Sequence, residues 1–123
     1  MVWITLAAWI LIPCSMMTGV SVVYFAAAAN GSSTTRRIAT SMHGAIASVL
    51  YACCVLIAVL AGRSPDLADV LLLLYLVPIC LIVVSFAAYR GPKAVHLLQL
   101  FNLPVIAFSA FIGIVGVATG GAF

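Results

Sequence analysis

The charged residues decide what this chain can become. Its five basic and two acidic side chains sit in or beside three short turns: Arg36 and Arg37 at the first, Arg63, Asp66 and Asp69 at the second, Arg90 and Lys93 at the third. What lies between is apolar. Residues 3–29, 38–62, 67–89 and 95–119 form four stretches, and only Asp69 intrudes, at the edge of the third. About 20 apolar residues wound as a helix cross the ~30 Å hydrocarbon core of a bilayer. A chain of 123 residues that is 67% hydrophobic and 6% charged has too little polar surface to cover such segments in water. The expected fold is all-α: an integral membrane, antiparallel four-helix transmembrane bundle, one domain over residues 1–123.

The turns carry their own signals. Asn30-Gly31 breaks the first helix, and the run to Arg37 supplies Ser and Thr as caps. Gly62 to Asp66 reads as a tight turn in which Ser64 or Asp66 caps the next helix, with Pro65 in its first turn. Arg90-Gly91-Pro92-Lys93 stops the third span. Pro13 should kink the first span or mark an interfacial segment before it, Pro78 falls near the middle of the third, and Asn102-Leu103-Pro104 should distort the fourth. Trp3 and Trp9 read as an interfacial anchor. No Lys or Arg precedes Arg36, so the first stretch lacks the positive region of a cleaved secretory signal. Arg36, Arg37, Arg90 and Lys93 outweigh Arg63, which places the first and third turns in the cytoplasm. The expected setting is a bacterial plasma (inner) membrane, with both termini outside the cytoplasm.

Polarity inside the spans is concentrated in the fourth. At about 100° per residue, Gln99, Asn102, Ser109, Gly113, Gly116 and Gly120 share one stripe, and Leu, Phe, Val and Ile take the rest. Small residues at this spacing let helix backbones approach closely, and buried amides bond across helices. The stripe is the expected partner-binding or helix-packing face, and the fourth helix is the one the others should pack around. In the second span His43, Ala47, Tyr51, Cys54, Ala58 and Gly62 share a similar face, which should meet the fourth or the first helix. Leu11-Ile12-Pro13-Cys14 and Tyr24-Phe25-Ala26-Ala27 echo Leu76-Val77-Pro78-Ile79-Cys80 and Ser85-Phe86-Ala87-Ala88, each before a basic turn and a His. That pattern suggests two parallel helical hairpins.

Candidate chemistry is sparse. His43 and His96 each open a span on the same side of the membrane, the placement bis-His haem b or a shared metal ion needs. No further motif supports a haem, and hydrogen bonding to headgroups or loop carbonyls at the interface is the expected role of both. Cys14 and Cys80, with Met16 and Met17, are the right softness for Cu(I), but no Cys-x-x-Cys supports this, and Cys53 and Cys54 read as small core hydrophobes. No carboxylate lies deep in any span, which argues against proton-coupled export. No P-loop, nucleophile elbow or zinc-protease motif is present. Scattered basic residues form no groove for nucleic acid. The expected function is therefore non-enzymatic and without a cofactor: binding another membrane protein or a membrane-inserting polypeptide through intramembrane helix faces, as an accessory subunit or toxin-immunity protein does. The alternatives are a small homo-oligomeric transporter or channel lined by Gln99, Asn102 and Ser109, and a haem-b electron carrier using both His.

Overall fold

A computed structural model of the protein describes residues 2–31 and 33–120, leaving out the side chains of Val2 and Trp3. Half of the expected tryptophan anchor therefore lies outside the described side chains. The described residues are all-helical, with four helical segments long and apolar enough to cross a membrane: Ile4–Ala27, His43–Leu60, Pro65–Ala88 and Lys93–Thr119. This is the pattern of a multi-pass membrane protein.

The first helix, α1, runs Val2–Ala27 without a break, with Pro13 inside it and no separate interfacial piece. The first turn is more ordered than its sequence suggests. Ser33 caps a short helix α2, Thr34–Ala39, by accepting from the Arg36 N–H at 3.2 Å. Thr40 and Ser41 then donate back to the carbonyls of Arg36 and Arg37, at 2.7 and 2.5 Å. These bonds hold the chain in a turn, so the second span, α3, begins at His43 rather than at residue 38. It ends at Leu60, with Gly62 beyond it at φ +73°.

The third span is two helices, α4 Pro65–Leu74 and α5 Leu76–Ala88, meeting at Tyr75. The break lies one turn before Pro78, whose ring displaces the carbonyl four residues back, that of Leu74. Ser64 makes no side-chain cap on α4; its backbone N–H instead donates to the Val117 carbonyl at 2.8 Å, tying the second turn to the last helix. Lys93–Leu98 is a 3-10 turn leading into α6, Gln99–Thr119. Pro104 is absorbed within α6, and Gly120 closes it at φ +84°.

The helix at the centre is α3. Eight of its 18 residues are buried, against seven of 21 in α6, and it touches α1, α4, α5 and α6. This corrects the expectation that the last helix is the hub. Glycines set the closest approaches. A Cβ at Gly44 would overlap the Met17 carbonyl of α1, and one at Gly113 would stand 2.8 Å from the Cβ of Cys54. Beside Gly44, the Ser21 hydroxyl accepts the Ala45 N–H at 2.9 Å, and Ser48 reaches Thr18 at 2.9 Å and the Cys14 carbonyl at 3.1 Å. A hydroxyl of α1 thus satisfies an N–H at the start of α3 that no helical partner can.

Candidate functional site

The turns between α1 and α3 and between α5 and α6 bring together the last turns of α1 and α5 and the first turns of α3 and α6. Tyr24, His43, Tyr89, His96, Gln99 and Asn102 converge there. All but the half-buried His96 are at most 3% exposed. Tyr24 is at the middle. Its ring meets His43 edge-on at 4.8 Å between centroids, Tyr89 at 5.0 Å and His96 at 5.7 Å. The Tyr89 hydroxyl donates to the Tyr24 carbonyl at 2.7 Å, and Arg37 Nε donates to the Phe25 carbonyl at 2.9 Å. Both carbonyls belong to the last turn of α1, where the helix itself leaves acceptors open.

The side-chain bonds fix a direction. Asn102 Nδ2 donates to Gln99 Oε1 at 3.1 Å. Gln99 Nε2 donates to the Tyr24 hydroxyl at 3.0 Å and lies 3.4 Å from His43 Nε2. Tyr24, accepting from Gln99, has its single hydrogen free for His96 Nδ1 at 2.9 Å. Neutral His96 then carries its proton on Nε2. The second amide hydrogen of Gln99 makes His43 Nε2 an acceptor, so His43 carries its proton on Nδ1. The chain of bonds ends in buried groups with no partner: His43 Nδ1, His96 Nε2 and Asn102 Oδ1. Each such end costs about 1–3 kcal/mol.

This arrangement limits the chemistry. A carboxamide is a poor proton carrier, so Gln99 interrupts any relay between the two imidazoles. His43 Nε2 and His96 Nδ1 are occupied by Gln99 and Tyr24, while His43 Nδ1 and His96 Nε2 are buried without a partner, and the Tyr24 ring packs against both imidazoles. An iron held between the rings would have to displace Tyr24, so the residues as placed do not fit a bis-His haem. Cys14 donates to the Ser48 carbonyl at 3.3 Å, Cys54 is buried, and Cys53 and Cys80 face outward. Among the described residues no three His, Cys, Asp or Glu stand close enough to hold a metal ion.

The stripe on α6 is turned inward. Gln99, Asn102, Ser109, Gly113 and Gly116 are buried against the chain's own helices, with Ser109 against Met17 and Gly113 against Cys54. Gly120 is half-buried and serves as the left-handed cap of α6, against Arg63. Gln99, Asn102 and Ser109 are each at most 2% exposed and bonded within the protein, and Ser109 also borders the cleft between α1 and α6. On α3, His43, Ala47, Tyr51, Cys54 and Ala58 are buried, while Gly62 lies in the turn.

Sequence reading missed Tyr24 and Tyr89 as the centre of the network. Their signal was position: each is a tyrosine one turn or less from a span end that abuts a basic turn with a His beyond it. It also missed a cleft of about 510 Å³ between α1 and α6, bordered by both Pro13 and Pro104. No protein-family model matches the chain, and no curated protein or solved structure is significantly similar to it.

Proposed function

We propose that this chain is a non-enzymatic, antiparallel four-helix transmembrane protein that binds a transmembrane helix of another membrane protein against the lipid-facing side of α1. The observation that carries this is a second stripe of small residues, the counterpart of the one spent inside α6. Ala8, Ser15, Gly19 and Ala26 lie within an arc of about 40° on α1, and all four are exposed. A Cβ at Gly19 would meet nothing within 4 Å. The Ser15 hydroxyl, four residues before Gly19, has no partner among the described residues. Only 17% of the most apolar window of α1 is buried, against 44% for α3. Small-x-x-x-small faces are where membrane helices associate. Loop charge supports an orientation with the first and third turns in the cytoplasm of a bacterial inner membrane and both termini outside.

The test is a photo-crosslinking residue placed at Gly19 in native membranes, with Val83 on α5, also exposed, as the control site. A discrete polypeptide adduct from position 19, absent from position 83 and lost when Ser15 is changed to Leu, supports the proposal. An adduct of twice the chain's own mass would make the face a homodimer contact and overturn the hetero-partner. Lipid adducts alone from both positions would overturn the binding face itself.

A further inference from the structure

We propose that the cleft between α1 and α6 binds a small, uncharged, lipid-soluble molecule whose head is a planar ring bearing carbonyl oxygens, a quinone being the type. The cleft opens beside the small-residue stripe on α1, sharing Ala8 only through its adjoining hollow, and the proposal does not depend on a protein partner.

Height selects a small molecule over a helix. The walls run from Trp9 to Met16 on α1 and from Pro104 to Ile112 on α6. At about 1.5 Å per residue each wall is about 10–12 Å tall, roughly a third of the hydrocarbon core. A partner helix would need a groove along the whole thickness. A volume of about 510 Å³ with a mostly apolar lining and a few polar groups is that of a small-ligand pocket.

The lining selects the head. Trp9 and Phe108 supply aromatic surface on the two walls, suited to a flat ring. Tyr51, at 1% exposure, lines the cleft and its hydroxyl has no partner among the described residues; the Trp9 indole N–H is likewise free. Both are donors on the apolar lining of a cleft between membrane-spanning helices, and a donor left unmet within the hydrocarbon core is costly. Carbonyl oxygens answer them, and an acyl chain offers none at this depth. No charged side chain lines the cleft, so the head is neutral. A second hollow of about 350 Å³ shares Trp9, Ile12 and Pro13 with the cleft and continues to Thr5 and Ala8, at the edge of the small-residue stripe, giving room for an apolar tail.

The test uses the full chain carrying Trp3→Phe, which leaves Trp9 as its single tryptophan. The protein, in phosphatidylcholine nanodiscs, is titrated with a decyl-substituted benzoquinone while Trp9 fluorescence is read. Saturable quenching is expected. Tyr51→Phe removes a hydroxyl that bonds nothing in the protein and should leave the unfolding midpoint unchanged while weakening binding about threefold to tenfold. Val105→Phe, which fills the cleft, should abolish saturation. As an independent readout, a photoreactive azidoquinone should label residues 9–16 and 104–112. Quenching that rises without saturation, identically in Val105→Phe, means free partition into lipid and overturns the proposal. So does displacement of the quinone by decane with no effect of Tyr51→Phe, which would make the cleft an acyl-chain groove. Label spread evenly over the exposed helices also overturns it.

Discussion

Gln99 should be the most expensive polar side chain in this protein to lose. It accepts from Asn102 and donates to Tyr24, with a longer contact to His43 Nε2. Gln99→Leu removes all three at once. His43, already unpaired at Nδ1, is then unpaired at both nitrogens, and Asn102, already unpaired at Oδ1, loses its remaining bond. Tyr24 still donates to His96. Side-chain bonds between membrane helices are worth about 0.6 kcal/mol on average and up to about 1.7. Three of them put the expected loss at about 2–5 kcal/mol. Asn102→Leu is different. It breaks one bond and strands Gln99 Oε1, but it also removes the stranded Asn102 Oδ1, exchanging one unmet acceptor for another. Its expected cost is about 0–1 kcal/mol. In the double variant Asn102 no longer has an amide to strand, so the two changes should cost less together than their sum. The assay is reversible unfolding in mixed micelles, followed by helical circular dichroism. Equal losses for the two single variants, or strict additivity in the double, would refute the bonding order described above.

Gly44→Ala should destabilise by about 1–3 kcal/mol, because the added methyl overlaps the Met17 carbonyl, whereas Gly19→Ala should lie within about 0.5 kcal/mol of the parent in the same unfolding assay. Gly113→Ala should cost about 1–3 kcal/mol, and Cys54→Gly should recover part of that by removing the Cβ it strikes. Reporter fusions after Arg37 and after Lys93 should read cytoplasm and one after Asp69 should read outside; the reverse pattern refutes the orientation. The purified protein should show no Soret band, and a band that disappears in both His43→Ala and His96→Ala would mean that haem displaces Tyr24.

Much of the fold is legible in residue type and period alone. Charge exclusion gives four membrane-length spans, and the 3.6-residue period gives the buried side of α6 from Gln99 to Gly116. The errors have local causes. Thr40 and Ser41 look like the polar start of a span, yet their hydroxyls bond back to Arg36 and Arg37 and hold a turn instead. Pro78 looks like the point of weakness in the third span, but a proline disturbs the turn before it, and the helix parts at Tyr75. His43 and His96 lie at one end of the bundle, each against the Tyr24 ring. What stands between them was not readable, because Tyr24 is brought there by α1, a helix with no His of its own.

The harder question is what a stripe of small residues means. Periodicity shows that one side of a helix avoids bulk; it does not say whether the chain itself or another molecule fills the space. Gly113 and Gly19 give the same signal in sequence. In the structure Gly113 has Cys54 against it and Gly19 has nothing within 4 Å. Substitution at the first must be felt as stability, since the methyl enters a filled space. Substitution at the second cannot be, since the space is open to lipid. If changes along Ala8, Ser15, Gly19 and Ala26 alter neither stability nor any association, small side chains there have no physical work to do. The binding surface left would be the α1–α6 cleft, whose height suits a small molecule and not a helix, where Tyr51 and Trp9 hold donors with no partner among the described residues.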